Sequence, residues 1–228
     1  MTPLEKSLYF CHKIPSMNRQ TLPNYTRKLH FYAGVIITVF IVMHLFNHIM
    51  GIFGAAEHIN YMQTLRPFYR NPVAESILLL AVSFQIYSGI KLFIKKRRLN
   101  LSGFERLQIW SGLYLAFFFI IHVSAVFIGR KILDLDTNFY FGVAGLNTFP
   151  LSLFFIPYYT LAISAFFGHI AAIHYKKMTT SILGLSPGTQ SNIILFFGVF
   201  LSIFILFGLT NQFQGVTIPH EYNVLIGK

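Results

Sequence analysis

Five long apolar runs divide the chain, with shorter polar segments between them. The runs cover residues 31–53, 74–94, 108–128, 151–175 and 192–212. A helix needs about 20 apolar residues to cross the hydrocarbon core of a bilayer, and each run has that length. The pattern predicts an all-α integral membrane protein built as a bundle of five transmembrane helices. This bundle, residues 31–212, follows an N-terminal segment 1–30 and precedes a C-terminal tail 213–228.

The composition agrees with this class of protein. Hydrophobic residues make up 54% of the chain and charged residues only 11%, with a mean hydropathy of +0.59, which excludes a water-soluble domain of this size. The single cysteine, Cys11, excludes an internal disulfide and provides no redox motif. The first 30 residues lack a continuous apolar stretch and a small-residue cleavage site, so we expect no cleavable signal peptide.

The distribution of basic residues predicts the orientation of the bundle. With the N-terminus in the cytoplasm, the cytoplasmic segments hold 13 of the 18 Lys and Arg residues. This bias predicts a cytoplasmic N-terminus. We expect the multi-pass protein to lie in the cell inner membrane. The net charge of +11 could suggest nucleic acid, but the basic residues cluster at the ends of apolar runs. They therefore favour contact with anionic membrane lipid or an acidic partner, and no nucleic-acid partner is expected.

Two histidines on different predicted helices lie at the same depth in the membrane. His44 lies ~20 Å from the cytoplasmic face and His122 ~21 Å from it, because a helix rises about 1.5 Å per residue. Ionisable residues inside a membrane are costly and are usually functional. A matched pair at one depth is therefore the main functional signal in the sequence.

Two facing imidazoles can serve three kinds of chemistry. Direct binding of zinc is disfavoured, because zinc requires four ligands and no Cys or carboxylate lies near the pair. A proton relay is a second possibility. The third is haem, whose macrocycle supplies four nitrogens and requires only two axial ligands from the protein, and a helical bundle offers a suitable pocket. The pair favours haem, whereas one histidine alone would equally well form a hydrogen bond between helices.

Further polar residues surround this outer level. His48 lies one turn beyond His44 on the same face. We expect it to make a polar contact at the outer interface or to bind a haem propionate. Arg130 is one of four outer basic residues that could pair with propionates or with lipid headgroups. The other three are Arg66, Arg70 and Lys131.

A second, inner level consists of His169 and Gln85. His169 lies ~9 Å and Gln85 ~14 Å from the cytoplasmic face, each measured along its predicted helix.

The stretch "GLSPGTQSN" (184–192) predicts the turn into the fifth helix, with Ser191 or Asn192 as its N-cap.

Several motifs occur in a characteristic order along residues 27–175. They are "RKLHFYAGVI", "MHLFNH", "GAAEHINYM", "NPVAESILLL", "IYSGIKLF", "RLQIWSGLYLAFFFIIHV" and "FGHIAAIHY". In order and spacing this part of the chain resembles the five-helix cytochrome b membrane anchor of succinate dehydrogenases and fumarate reductases. The fifth helix matches that family only in length and position.

The resemblance implies two stacked haems b, held by one histidine on each of the first four helices. The outer haem would take His44 and His122 as metal ligands. The inner haem would take His169, but Gln85 stands where the family has its second histidine, so this haem is absent, five-coordinate on His169 or ligated differently. The resemblance also implies a membrane quinone, and flavoprotein and iron–sulfur subunits on the cytoplasmic side.

Two functions and two quinone positions remain open at this point. The first function is the haem-bearing electron-transfer anchor, with no substrate chemistry in this chain. The second is a stand-alone membrane protein of the same fold that has lost one or both haems and serves in binding, transport or assembly. Quinone could bind inside, near His30, Ser88 and Tyr175, or outside, near Glu57 and His58.

Overall fold

The structure is a computed structural model that describes residues 24–228. Most of the predicted segment 1–30, including Cys11, lies outside these residues. The helices are α1 (Asn24–Met50), α2 (Ala55–Tyr69), α3 (Pro72–Lys96), α4 (Gly103–Lys131), α5 (Phe139–Val143), α6 (Ser152–Lys177) and α7 (Pro187–Leu209). Two short 3-10 helices lie at Gly51–Phe53 and His220–Ile226.

Five of the helices are long and apolar enough to cross a membrane: α1, α3, α4, α6 and α7. The prediction of an all-α, five-helix membrane bundle is therefore confirmed, although three helix starts lie five or more residues before the predicted ones. One of these is α4, which begins at Gly103, whereas the apolar run begins at residue 108. The first helix already includes Asn24, the first described residue, whereas its predicted start is residue 31. The last begins at Pro187, because the Ser186 hydroxyl accepts a hydrogen bond from the Thr189 backbone N–H at 3.2 Å. The prediction that Ser191 or Asn192 caps this helix is wrong.

Local capping residues also set the starts of α3 and α4. The Asn71 side chain accepts a hydrogen bond from the Val73 backbone N–H at 2.9 Å, and proline occupies the first position of α3. Ser102 and Glu105 form a reciprocal capping box at the start of α4. Short polar motifs between apolar runs thus determine where these spanning helices begin.

The five long helices form a closed ring. In this ring α1 packs on α3, α3 on α4, α4 on α6, α6 on α7, and α7 returns to α1. Helices α1 and α4 have no extensive contact with each other. They therefore face each other across the middle of the bundle, and side chains from both can point into a shared interior space.

The tightest packing joins α6 and α7, the last two helices. A Cβ atom on Gly198 would lie only 2.2 Å from Cβ of Phe167, so glycine is required for this approach. Buried apolar residues of α1, α5, α6 and α7, and of the turn after α5, continue this contact into one core. They are Leu45, Phe139, Val143, Leu146, Ile163, Phe166, Leu201, Ile205, Leu206 and Leu209.

Helices α2 and α5 and the C-terminal segment cover one end of the bundle. We call this the outer end, after the predicted orientation. The buried Tyr222 donates a hydrogen bond from its hydroxyl to the Asp136 carbonyl oxygen at 3.0 Å, and the Asp136 carboxylate forms an ion pair with Arg66 of α2. These contacts fix the segments that surround the outer end of the interior space.

Candidate functional site

A cavity of about 320 Å³ lies inside the outer part of the helix ring. Its volume falls in the range typical of small-molecule and cofactor sites. The wall is mostly apolar, with a few polar groups among the hydrophobic side chains. Its apolar residues include Ile37, Leu45, Leu78, Val82, Leu115, Phe119, Val126 and Ile163.

His44 of α1 and His122 of α4 face each other in this cavity. Their ring centres are 6.1 Å apart and the ring planes cross at 65°. Two imidazoles that bind one metal ion from opposite sides, each through a bond of ~2 Å, place their ring centres roughly 6 Å apart. The observed separation of the ring centres therefore suits a site in which both imidazoles would hold one metal ion.

A phenylalanine one turn before each histidine stacks on its ring. Phe40 is nearly parallel to His44, with centroids 5.6 Å apart and an angle of 15°. Phe118 is nearly parallel to His122, with centroids 5.0 Å apart and an angle of 13°. The two helices thus present the same arrangement, in which a flat apolar ring limits the orientation of the imidazole beside it.

A chain of polar side chains leads from His44 towards the outer end. His48 Nε2 lies 3.1 Å from His44 Nε2, and His48 Nδ1 lies 3.3 Å from His58 Nε2. Asn47 donates from Nδ2 to the same His58 nitrogen at 3.2 Å. His48 therefore makes its polar contacts with other histidines.

His58 is the most enclosed of these residues, with 3% of its surface exposed. Its Nδ1 atom and the Oδ1 atom of Asn47 have no hydrogen-bond partner among the described residues. Burial, together with the nearby His44, lowers the pKa of His58 to about 4. At neutral pH His58 is therefore an uncharged imidazole.

Charged residues line the outer end of the cavity. Arg130 forms an ion pair with Glu75 at 2.7 Å, and both residues line the cavity. Arg70 also lines it and donates a hydrogen bond to the Thr137 hydroxyl at 2.5 Å. Cationic groups thus lie at the outer end, where the membrane interior gives way to polar surroundings.

The histidines near the cavity do not form a direct metal site of the usual kind. Within residues 24–228, no group of three or more His, Cys, Asp or Glu is arranged to hold a metal ion. A bare zinc or copper ion would require such a group. Two opposed imidazoles with an apolar space between them suit a metal that brings its other ligands with it.

At the inner level, His169 of α6 is tied to α4. Its Nδ1 atom lies 3.0 Å from the Gln108 carbonyl oxygen and 3.2 Å from the Ser111 hydroxyl. The bond to the carbonyl places the proton on Nδ1 and leaves Nε2 without it, which is the usual state of a histidine ligand. The ring packs against Gly112, where a Cβ atom would approach it to 3.1 Å.

Gln85 has a different environment from His169. With its amide oriented to satisfy both of its polar atoms, the nitrogen lies 2.6 Å from His30 Nδ1 and the oxygen accepts from the Gly34 backbone N–H at 3.2 Å. The Ser88 hydroxyl lies 2.7 Å from the same His30 nitrogen. Gln85 is thus bound to α1, which does not favour it as an iron ligand opposite His169.

The predicted quinone residues are brought together only in part. His30 and Ser88 are in contact, whereas Tyr175 stacks on Phe104 with centroids 4.3 Å apart. At the outer end, His58 lines the cavity and Glu57 is exposed on α2. The inner position thus retains the partly buried His30 beside Ser88, and the outer position retains the buried His58 beside Asn47.

Sequence reasoning missed the contributions of Asn47, Phe40 and Phe118 to the cavity. The spacing of four residues between each phenylalanine and its histidine, "FIVMH" and "FFIIH", could have indicated the stacking. Nothing in the sequence indicated the contact of His58 with His48, because it depends on how α2 folds back over the bundle.

Comparison with protein-family models gave no match, and comparisons with curated proteins and with solved structures gave no significant similarity.

Proposed function

We propose that the chain is a cytochrome b membrane anchor that passes electrons between a membrane quinone and a peripheral dehydrogenase. The observation that carries this proposal is the pair His44 and His122, which line one cavity with ring centres 6.1 Å apart. The class of complex, succinate dehydrogenase or fumarate reductase, comes from the motif resemblance. Its location would be the cell inner membrane, with the cytoplasmic N-terminus that the distribution of basic residues favours.

Each part of the cavity has a role in holding haem b. His44 and His122 would hold the haem iron, and Phe40 and Phe118 restrict the rotation of the two imidazole rings. The apolar wall contacts the macrocycle and excludes water. Haem b, when bound, supplies reversible one-electron transfer, and its potential depends on the axial ligands and the dielectric environment around it.

His48 is the residue that must change its contact when His44 binds iron. In this structure the two Nε2 atoms are 3.1 Å apart, so one of them carries a proton that it shares with the other. Ligation through His44 Nε2 removes that hydrogen bond. His48 keeps His58 as a second partner, so its ring remains held.

The partners follow from the two ends of the bundle. The cytoplasmic ends of α3, α4 and α6 carry the "KKRR" run (95–98), Arg106, Lys176 and Lys177, a cationic surface suited to an acidic peripheral subunit or anionic lipid. The flavoprotein and iron–sulfur subunits would dock there. For the quinone, the His30–Ser88 pair offers a hydrogen-bond site inside, and His58 offers one beside the cavity outside.

A stand-alone protein of this fold that has lost one or both haems is the second candidate function. The bonding of Gln85 to His30 supports the loss of the inner haem. At the outer level, the cavity between His44 and His122 favours retention of haem.

The test is to purify the chain in detergent and measure its haem with the pyridine haemochrome assay and its visible spectrum. We expect one low-spin haem b per chain. Absence of haem after expression with ample haem supply would favour the stand-alone protein. Co-purification of flavoprotein and iron–sulfur subunits, checked with an unrelated membrane protein as control, would support the dehydrogenase complex.

A further inference from the structure

The outer end of the cavity carries more cationic than anionic side chains. Three arginines lie there, Arg66, Arg70 and Arg130, with two carboxylates, Glu75 and Asp136. Glu75 pairs with Arg130 and Asp136 pairs with Arg66. Both carboxylates are thus already engaged with a guanidinium other than that of Arg70.

Within residues 24–228, Arg70 forms no ion pair at contact distance with a carboxylate. Its recorded hydrogen bond is to the neutral hydroxyl of Thr137, and its side chain lines the cavity. Burial, followed by the neighbouring Arg66, lowers the pKa of Arg70. The one carboxylate whose charge acts favourably on Arg70, Asp136, is already paired with Arg66. A partly buried guanidinium with so little compensation is unfavourable, so this position is suited to an anion that arrives with a ligand.

Arg130 offers further donors at the same place. One of its terminal nitrogens binds Glu75, whereas a guanidinium has five N–H groups. Arg70 and Arg130 both line the same cavity as His44 and His122. A ligand that occupies the space between the histidines could therefore reach both arginines from within the cavity.

We propose that Arg70, together with the remaining donors of Arg130, binds the carboxylates of the ligand that occupies this cavity, namely the two propionates of haem b. This inference rests on the proposed function. Charge-assisted hydrogen bonds between guanidinium and carboxylate are strong and directional. Such bonds would orient the ligand, with its carboxylates at the outer end of the cavity and its apolar part deeper in the bundle.

The same arginines could instead bind lipid phosphate at the membrane surface. Two features favour the ligand in the cavity: Arg70 lines the cavity wall, and Arg130 is held there by Glu75, with its side chain only 18% exposed. An arginine that serves lipid headgroups needs exposure at the bundle surface. Lys131, which is exposed and does not line the cavity, is such a residue and provides a matched control.

The experiment compares haem b with its dimethyl ester, in which both carboxylates are blocked. The haem-free full chain in detergent is titrated with each compound, and the dissociation constant is taken from the Soret absorption. We expect the wild-type chain to bind haem b about tenfold or more tightly than the ester. Arg70→Gln should weaken haem binding about tenfold and leave ester binding unchanged, whereas Arg70→Lys should retain part of the preference and Lys131→Gln all of it.

Three outcomes separate the possibilities. Equal binding of haem and ester by the wild-type chain, with a low-spin spectrum for both, would overturn the role of Arg70 while leaving haem binding intact. A preference for haem over the ester that persists in Arg70→Gln would also overturn the role of Arg70. It would agree with arginines that bind lipid phosphate. Failure of the wild-type chain to bind either compound would overturn the haem assignment itself, and this inference with it. Unchanged ester binding in Arg70→Gln shows that the variant is folded.

Discussion

The rings of His44 and His122 lie 6.1 Å apart across a cavity, although the helices that carry them, α1 and α4, have no extensive contact. In a membrane, two polar side chains on separate helices usually meet through a direct hydrogen bond at a helix–helix contact. Here the helices are held apart by α3 on one side and by α6 and α7 on the other. The two imidazoles thus lie on opposite sides of a space in which a ligand can bind.

Replacement of either facing histidine should remove the low-spin haem. We expect His44→Ala and His122→Ala to eliminate the low-spin visible and electron paramagnetic resonance (EPR) signals, because each leaves iron with one axial imidazole at most. His48→Ala is the matched control one turn away, and it should remain low-spin. A low-spin spectrum that is unchanged in either of the first two variants would exclude this pair as the ligands, and its loss in His48→Ala would assign His48 to the iron.

The stacked phenylalanines should control the angle between the imidazole planes. That angle is 65°, and strongly crossed axial planes leave the iron d orbitals nearly equal in energy, which gives a highly anisotropic low-spin EPR signal. Phe40→Leu and Phe118→Leu keep an apolar side chain but remove a ring contact of ~0.5–1.5 kcal/mol. We expect both variants to bind haem several-fold more weakly and with reduced EPR anisotropy.

Phe117→Leu is the control for this experiment, because Phe117 neighbours Phe118 but is 52% exposed on the outside of the bundle. Its EPR signal should match that of the wild type. Identical EPR spectra in all the variants would show that the phenylalanines do not orient the imidazoles.

Replacement of the inner histidine, His169, should not affect the haem that the outer pair holds. His169 is bound to the Gln108 carbonyl, and its predicted counterpart Gln85 is bound to His30. We therefore expect His169→Ala to leave the low-spin haem and the haem content per chain unchanged. If the variant loses half of its haem in the pyridine haemochrome assay, a second haem bound at His169 would be established instead.

The sequence predicted the number and approximate limits of the spanning helices because the length of an apolar run reports directly on bilayer thickness. It also placed His44 and His122 at one depth, because helical rise converts residue number into height. Neither the length of the apolar runs nor the depth of the histidines predicts the order of the helices around the ring, because every helix here is apolar on most of its surface. The diagonal position of α1 and α4, on which the cavity depends, arises only from packing.

Other features depend on the backbone conformation or on contacts between distant residues, which the sequence does not reveal. Ser186 and Ser191 are both plausible N-caps in "SPGTQSN", and only the backbone turn distinguishes them. His58 lies in a polar stretch after α1, and it reaches the cavity because α2 folds back over the outer end. The pairing of Arg66 with Asp136 and of Arg130 with Glu75 joins residues that are far apart in the chain.

The close contact between α6 and α7 should be sensitive to a single methyl group. Gly198→Ala places a Cβ atom 2.2 Å from Cβ of Phe167, so the helices must separate, at a cost of ~1–3 kcal/mol. Gly89→Ala is the matched control in α3, because nothing lies within 4 Å of its added Cβ atom, and alanine favours a helix by up to ~1 kcal/mol. Thermal unfolding in detergent should show a lower Tm for the first variant and an equal or higher Tm for the second. Equal behaviour of the two would contradict the packing.

The buried His58 should make the outer end less stable in acid. Its pKa in the folded chain is about 4, below the ordinary value of 6.5, so between these pH values the unfolded chain binds a proton that the folded chain does not. Stability attributable to this residue is therefore fully present above pH 6.5, falls as the pH drops towards 4, and amounts to roughly 3 kcal/mol in all.

His58→Gln keeps a polar side chain that can accept from Asn47 but cannot titrate in this range. The free energy of unfolding, measured in mixed micelles at pH 7 and at pH 4.5, should fall less in His58→Gln than in the wild-type chain. The comparison of the two pH dependences removes the contributions of all other histidines, as far as these are independent of His58. Parallel pH dependences in the two proteins would mean that His58 is accessible to protons in the folded state, and that the outer end opens more readily than its packing against Phe139 implies.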